Sequence, residues 1–159
     1  MKMRKSKRDD RVRRGAQSEN PKVLVVDDDL EVTHLLAAAL KECGYVVLQA
    51  NSAAEAIRIA REETIDAALI DVPMSDLDGF GVLRRLKEND EHLVVVIMAD
   101  YGDLEEARQA MRLDAYDYIT KPFDIRVLRT VLRAGLKESS RMPTPHKRAS
   151  SAALTTSGR

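Results

Sequence analysis

Five short apolar runs divide this chain: KVLVVD (22–27), YVVLQA (45–50), DAALID (66–71), LVVVIMA (93–99) and AYDYIT (115–120). Rich in Val, Ile, Leu and Ala, each reads as a strand. Between them apolar residues return every three or four positions, the period of an amphipathic helix. In LEVTHLLAAALKECG, Val32, Leu35, Leu36, Ala39, Leu40 and Cys43 are expected on one inward face, and Gly44 stops the helix. SAAEAIRIAREE opens with Ser52 and Glu55 at the spacing of a capping box. A third helix carries Phe80, Leu83 and Leu86, and DLEEARQAMRL forms a fourth. DIRVLRTVLRAGLKES forms the last, with Ile125, Leu128, Val131, Leu132 and Leu136 inward.

Strict strand–helix alternation with right-handed crossovers predicts a parallel sheet covered on both faces. Five units are too few for an eight-stranded barrel. That leaves an open, doubly wound, five-stranded α/β sheet of (βα)5 type, flavodoxin-like. Its strand order, 2-1-3-4-5, is borrowed from known sheets of this kind and not read from the pattern. The sheet domain is assigned to residues 21–139. Residues 1–20 lack apolar periodicity and are expected to be a disordered basic tail. Residues 140–159, rich in Ser, Thr, Ala and Pro, are expected to be a disordered linker or tail, with no second domain after them.

Composition sharpens this picture in three ways. Hydrophobic residues make up 44% of 159, with 4% aromatic and no tryptophan, so the core is built from Leu, Val, Ile and Ala. The formal net charge of zero hides an acidic globule between basic ends. Residues 1–20 carry eight Lys and Arg against three acids, residues 137–159 five against one, and residues 21–136 thirteen against twenty-two. Solvated tails, or tails brushing the chain's own acidic surface, are favoured over nucleic-acid contact. The single cysteine, Cys43, excludes an internal disulfide and reads as a packing residue. No apolar run is long enough to span a membrane, and the basic opening lacks the apolar stretch of a secretory signal. The expected location is the cytoplasm.

The run ALIDVPMSDLDGFG stops at one carboxylate, Asp71, and then turns through proline, serine and glycine. In the borrowed order the first and third strands are neighbours, so Asp71 converges with Asp27 and Asp28 at the carboxyl ends of the strands. Three carboxylates crowded together raise at least one pKa. A hard divalent cation such as Mg²⁺ relieves the crowding, because it takes oxygen ligands. The fifth strand adds Lys121 as a fixed cation, and the bond to Pro122 is a candidate for the cis form. Acids, an implied metal and a lysine make a site for a transferable phosphoryl group.

VLVVDDD, ALIDVPMSDLDGFG and AYDYITKPFD, in this order, resemble the response-regulator receiver domain of two-component signalling, the CheY-like superfamily. The resemblance spans about residues 22–139. It implies that Asp71 is the phosphoacceptor, taking its phosphoryl group from a histidine of a sensor kinase or phosphotransfer protein. It implies that Asp28 binds Mg²⁺ directly, Asp27 through water, and the Pro73 carbonyl as a further ligand. Lys121 would pair with the phosphoryl oxygens, and Tyr118 falls where the family places its switching aromatic. Output through the face of the fourth helix, fifth strand and fifth helix, as a homodimer or to a downstream effector, is implied in the same way. That face includes Arg108, Met111, Tyr118, Arg126 and Arg129. Such a protein is a signalling phosphoprotein; its only catalysis is of its own phosphorylation and dephosphorylation.

The chain departs from that pattern at the fourth strand. Ala99 stands where receivers usually carry Thr or Ser, and Asp100 where a small residue is usual. Ala99 has no hydroxyl to donate to a phosphoryl group, and Asp100 places a charge near the forming dianion. A hydrogen bond to a charged group is worth about 1.5–3 kcal/mol. Its loss shifts an active-state population by about tenfold or more. The expectation is a domain that is phosphorylated but couples weakly to Tyr118. Pro73 also precedes Met74 where Met-Pro is usual, and Asp114 stands where glycine is common. Two alternatives remain open. One is a phosphate-independent receiver-like interaction module. The other is a haloacid-dehalogenase-type phosphatase using Asp27 and Asp29, although Asp29 is better explained as a helix-terminal acid. His34, His92 and His146 belong to no constellation, and Met74 and Met98 read as packing residues.

Overall fold

The computed structural model describes residues 20–72, 79–100 and 104–141. Strands and helices alternate as expected: β1 (Lys22–Val26), α1 (Leu30–Glu42), β2 (Val46–Ala50), α2 (Ala53–Glu62), β3 (Ala67–Asp71), α3 (Gly79–Asn89), β4 (Val94–Ala99), α4 (Leu104–Arg112), β5 (Asp117–Thr120) and α5 (Ile125–Arg141). All neighbouring strands are parallel, in the order β2-β1-β3-β4-β5. Of the expected tails, 1–20 and 140–159, residues 1–19 and 142–159 lie outside the described residues.

Successive side chains of a strand point to opposite faces, so each apolar run feeds two cores. Val23 and Val25, Ala67 and Leu69, and Val94, Val96 and Met98 pack with Leu36 and Leu40 of α1 and Leu128 and Leu132 of α5. Leu24 and Val26, Ala68 and Ile70, and Val95 and Ile97 turn the other way. They meet Ala56 and Ala60 of α2, Leu83 and Leu86 of α3, and Ala110 of α4. β3 and β4 are buried along their whole length, which is why their sequences are continuous and not alternating.

Helix ends follow local chemistry. Asp29 caps α1, its carboxylate accepting from the Glu31 and Val32 N–H groups. Ser52 Oγ accepts from Glu55 N–H at 3.1 Å, while the Glu55 carboxylate reaches back to Asn51 N–H at 3.2 Å, one residue before the cap. At the end of α1 the left-handed Gly44 (φ 93°) lets the Gly44 and Tyr45 N–H groups donate to the Lys41 and Leu40 carbonyls. The inward face of α1 differs from the expected one. Leu35 is 72% exposed, and the buried positions are Thr33, Leu36, Ala37 and Leu40. The helix is phased by Leu36 and Leu40, and Thr33 fits inside because its hydroxyl donates to the Leu30 carbonyl at 2.9 Å. α5 runs to Arg141, two residues beyond the expected domain end at 139.

The end of α4 repeats the α1 arrangement without a glycine. Asp114 (φ 63°) and Ala115 donate to the Met111 and Ala110 carbonyls at 3.1 and 3.0 Å. A left-handed conformation costs an L-residue about 1–2 kcal/mol, less for aspartate. Asp114→Gly is expected to raise the unfolding free energy by up to about 1 kcal/mol. Urea denaturation checks this as a higher midpoint at unchanged slope.

Candidate functional site

The chain leaves β1 toward β2 on one side and reaches β3 on the other, so the winding reverses between β1 and β3. Asp27 and Asp28 follow β1, and Asp71 ends β3 beside them, with Val26 paired to Ile70. Asp27 N–H donates to the Ala50 carbonyl at 3.2 Å, which carries the ladder one residue past the strand. Asp27 and Asp71 are buried and Asp28 is exposed, yet one oxygen from each lies within 4.8 Å of the others. Lys121 arrives from β5. Its N–H donates to the Ala99 carbonyl at 2.6 Å, and its bond to Pro122 is cis. The ammonium donates to Asp27 Oδ2 and Asp71 Oδ1, both at 3.0 Å, and stands 3.9 Å from Asp100 Oδ1.

Two further residues hold this geometry, and sequence reasoning did not pick out either. Asn51 Nδ2 donates to the Asp27 carbonyl at 3.0 Å and to Thr33 Oγ1 at 3.2 Å, tying the ends of β1 and β2 to α1. Gly79 opens α3 directly against the strand end that bears Asp71. Its N–H donates to the Val72 carbonyl at 3.1 Å. A Cβ there would run into the Asp71 carbonyl oxygen and stand 2.9 Å from Val72 Cα. The signal for Gly79 was a glycine opening a helix soon after a strand top; Asn51 gave no local signal.

Burial is the main reason the Asp71 carboxyl is pushed up, to about 6. The hydrogen bond from Lys121 opposes the rise, and the neighbouring Asp27 and Asp100 charges add to it. Burial alone would favour neutral Lys121, but its bonds to Asp71 and Asp27 outweigh that and hold the ammonium above its ordinary value. Asp27 has both oxygens engaged, Oδ2 by Lys121 and Oδ1 by the Asp29 N–H at 3.0 Å. Three convergent hard oxygen donors against one ammonium fit a divalent cation such as Mg²⁺. With a cation and Lys121 on hand, Asp71 is placed to act as a nucleophile whose added group gains positive partners.

The remaining expected residues lie on or beside β4 and β5. Ala99 is buried, with a methyl and no side-chain donor. Asp100 sits at the rim with its side chain 69% exposed. Tyr118 is half-buried against the core on the α2–α4 face, and its hydroxyl donates to Glu106 Oε2 of α4 at 3.1 Å. Asp29 caps α1 and lies outside the carboxylate cluster, which removes the D-x-D reading. Pro73, Met74 and Ser75 lie outside the described residues.

The response regulator receiver domain profile matches residues 23–133. The transcriptional regulatory protein ZraR of Escherichia coli (strain K12) is 37% identical over 118 residues, 74% of this chain and 27% of that protein. The chain therefore spans about a quarter of the length of that relative. Sporulation initiation phosphotransferase F of Bacillus subtilis (strain 168) is 34% identical over 114 residues, 72% of this chain and 92% of that protein. The solution structure of the beryllofluoride-activated NtrC4 receiver domain dimer superimposes with a TM-score of 0.71 at 31% identity, covering 74% of this chain and 98% of that one.

The raised Asp71 pKa has a consequence for stability. Between about pH 4 and 6 the folded chain holds a proton there that the unfolded chain has released, so this carboxyl's contribution falls as pH rises through about 6. Asp71→Asn mimics the protonated form. In metal-free buffer the variant is expected to be more stable than the wild type at pH 7, with the gap closing below pH 4. Paired urea titrations across that range check it; a wild type as stable as the variant at pH 7 contradicts the burial argument.

Proposed function

Because the chain belongs to the response regulator receiver domain family, we propose that Asp71 accepts a phosphoryl group from a histidine of a sensor kinase or phosphotransfer protein. The observation that carries this reading is the convergence of Asp27, Asp28 and Asp71 with Lys121 bonded at 3.0 Å to the nucleophile. Asp27, Asp28, Asp71 and the Pro73 carbonyl would hold Mg²⁺, which when bound neutralises charge on the phosphoryl oxygens. An Asp71 oxygen forms the new bond to phosphorus as the bond from phosphorus to the imidazole nitrogen breaks, and the ring leaves with that electron pair. Lys121 is released from Asp71 and pairs with a phosphoryl oxygen, while its bond to Asp27 keeps it at the strand tops. The phosphate-independent reading is not favoured, because Asp27, Asp28, Asp71 and Lys121 are all present and converge at the strand tops.

Coupling to the rest of the domain is weak in this reading. Ala99 offers no hydroxyl to a phosphoryl group. Tyr118 already has a charged partner in Glu106, a bond worth about 1.5–3 kcal/mol that any movement of the ring must break or replace. Output through the α4–β5–α5 face, as a homodimer or to a downstream effector, belongs to the same reading; Leu104 and Met111 of α4 and Val127 of α5 are exposed. A kinase histidine as donor places the protein in the cytoplasm. In accord with this, no helix among the described residues is long and apolar enough to cross a membrane.

Incubation with a small-molecule phosphodonor and Mg²⁺ is expected to add one phosphoryl group by intact mass, and Asp71→Asn to abolish it. No gain in folded protein with Mg²⁺ bound overturns the assignment. Restoring the donor with Ala99→Thr is expected to raise the phosphorylation-dependent change in self-association about tenfold. If sedimentation shows the same dependence in both proteins, the weak coupling is wrong.

A further inference from the structure

Lys121 is contested. An ammonium has three N–H donors, and here two are engaged at 3.0 Å by Asp27 and Asp71. Asp100 is the third carboxylate within 4 Å of it among the described residues, at 3.9 Å. Asp100 is carried by the residue after β4, and the Ala99 carbonyl beside it accepts from Lys121 N–H at 2.6 Å, so the two residues cannot drift apart freely. Asp27 and Asp71 are buried, whereas the Asp100 side chain is 69% exposed.

We propose that Asp100 is a specificity-determining residue of this site. Its carboxylate draws Lys121 away from a phosphoryl group on Asp71 and repels that group, while attracting a divalent cation. The proposal rests on Asp71 being the phosphoacceptor. A fixed negative charge a few ångströms from a site acts with opposite sign on a cation and a dianion. The loss of a hydroxyl donor at Ala99 acts on the dianion alone, in the same direction. The phosphorylated state is thus less populated and shorter-lived than the transfer residues by themselves would make it. Its loss to water breaks the bond from phosphorus to the Asp71 oxygen and leaves the electron pair on the carboxylate. The water oxygen joins the phosphorus, and the orthophosphate carries both water protons until the medium takes one.

The test uses the full chain and the variant Asp100→Asn, which removes the charge at an exposed position and keeps the shape. Two quantities are read: Mg²⁺ affinity by calorimetry on unphosphorylated protein, and phosphoryl half-life by intact mass after removal of a small phosphodonor. Asp100→Asn is expected to weaken Mg²⁺ binding about twofold to fivefold and to lengthen the half-life about threefold to tenfold. Both changes should shrink in 0.5 M salt, since an exposed charge is screened. Asp100→Lys should move each quantity further in its own direction. A structural role for Asp100 would weaken both functions together, so shifts of the same sign, or no shift in either, overturn the proposal. A Mg²⁺ shift with no phosphoryl gain in either protein overturns the phosphoacceptor assignment and the competition with it. A normal gain with an unchanged half-life overturns the role of Asp100 alone.

Discussion

Two hydrogen bonds from one ammonium, Lys121 to Asp27 and Lys121 to Asp71, set the conditions that the rest of this domain must meet. Buried carboxylates are expensive unless they are paired and hydrogen-bonded. Here two of them share a single lysine, with a third acid at the margin. Such a cluster persists only where the backbone cannot relax it away. The sheet supplies that rigidity, because β1 and β3 are central neighbours with helices on both faces. Around the cluster, Asn51 locks the Asp27 backbone, and Gly79 seats α3 against the Asp71 carbonyl.

The opposite edge of the domain is built from weaker and more local contacts. β5 is the shortest strand, paired on one side only, and it is joined to α4 by the bond from Tyr118 to Glu106. Lys121 leaves this strand, so the same edge carries both the cation of the reacting cluster and the aromatic that links to α4. Among the described residues, two bonds link the cluster's edge toward α4: the one from Tyr118 to Glu106 and the Ala99–Lys121 backbone bond. The first is anchored by a carboxylate, and the second involves no side chain at residue 99.

Much of this was legible in the sequence because charge breaks apolar runs at informative places. Asp27, Asp71 and Lys121 stood out as charged residues at the ends of strands, and convergence followed once the strand order was granted. That order came from analogy, since no local pattern distinguishes 2-1-3-4-5 from other doubly wound arrangements. Leu35 was misplaced because the apolar residues of α1 cover more than one face, and only packing against β1 and β2 chooses the phase. Asn51 was missed because its partner Asp27 is distant in sequence, and Gly79 because its contact with the Asp71 carbonyl depends on how α3 packs back on the strand end. Glu106 was missed for the same reason: its bond to Tyr118 crosses from α4 to β5.

Two of the departures from the family pattern, Ala99 and Asp100, fall together, and that placement constrains what they mean. Ala99 and Asp100 adjoin each other at the end of β4, whereas the groups that would react or ligate lie after β1, β3 and β5. A domain drifting away from phosphoryl chemistry would have little reason to keep two buried carboxylates around a lysine, since apolar replacements of similar volume are often as stable or more so. The burial that lifts the Asp71 pKa is a cost to the empty fold. In the proposed reading the changes at β4 act instead on how firmly a phosphoryl group is held and how strongly it is felt at Tyr118. Holding the group less firmly raises its tendency to move on, and feeling it less at Tyr118 lowers the conformational work each transfer must do. If Asp71 is the phosphoacceptor as proposed, the same two substitutions favour a carrier of the phosphoryl group over a latch.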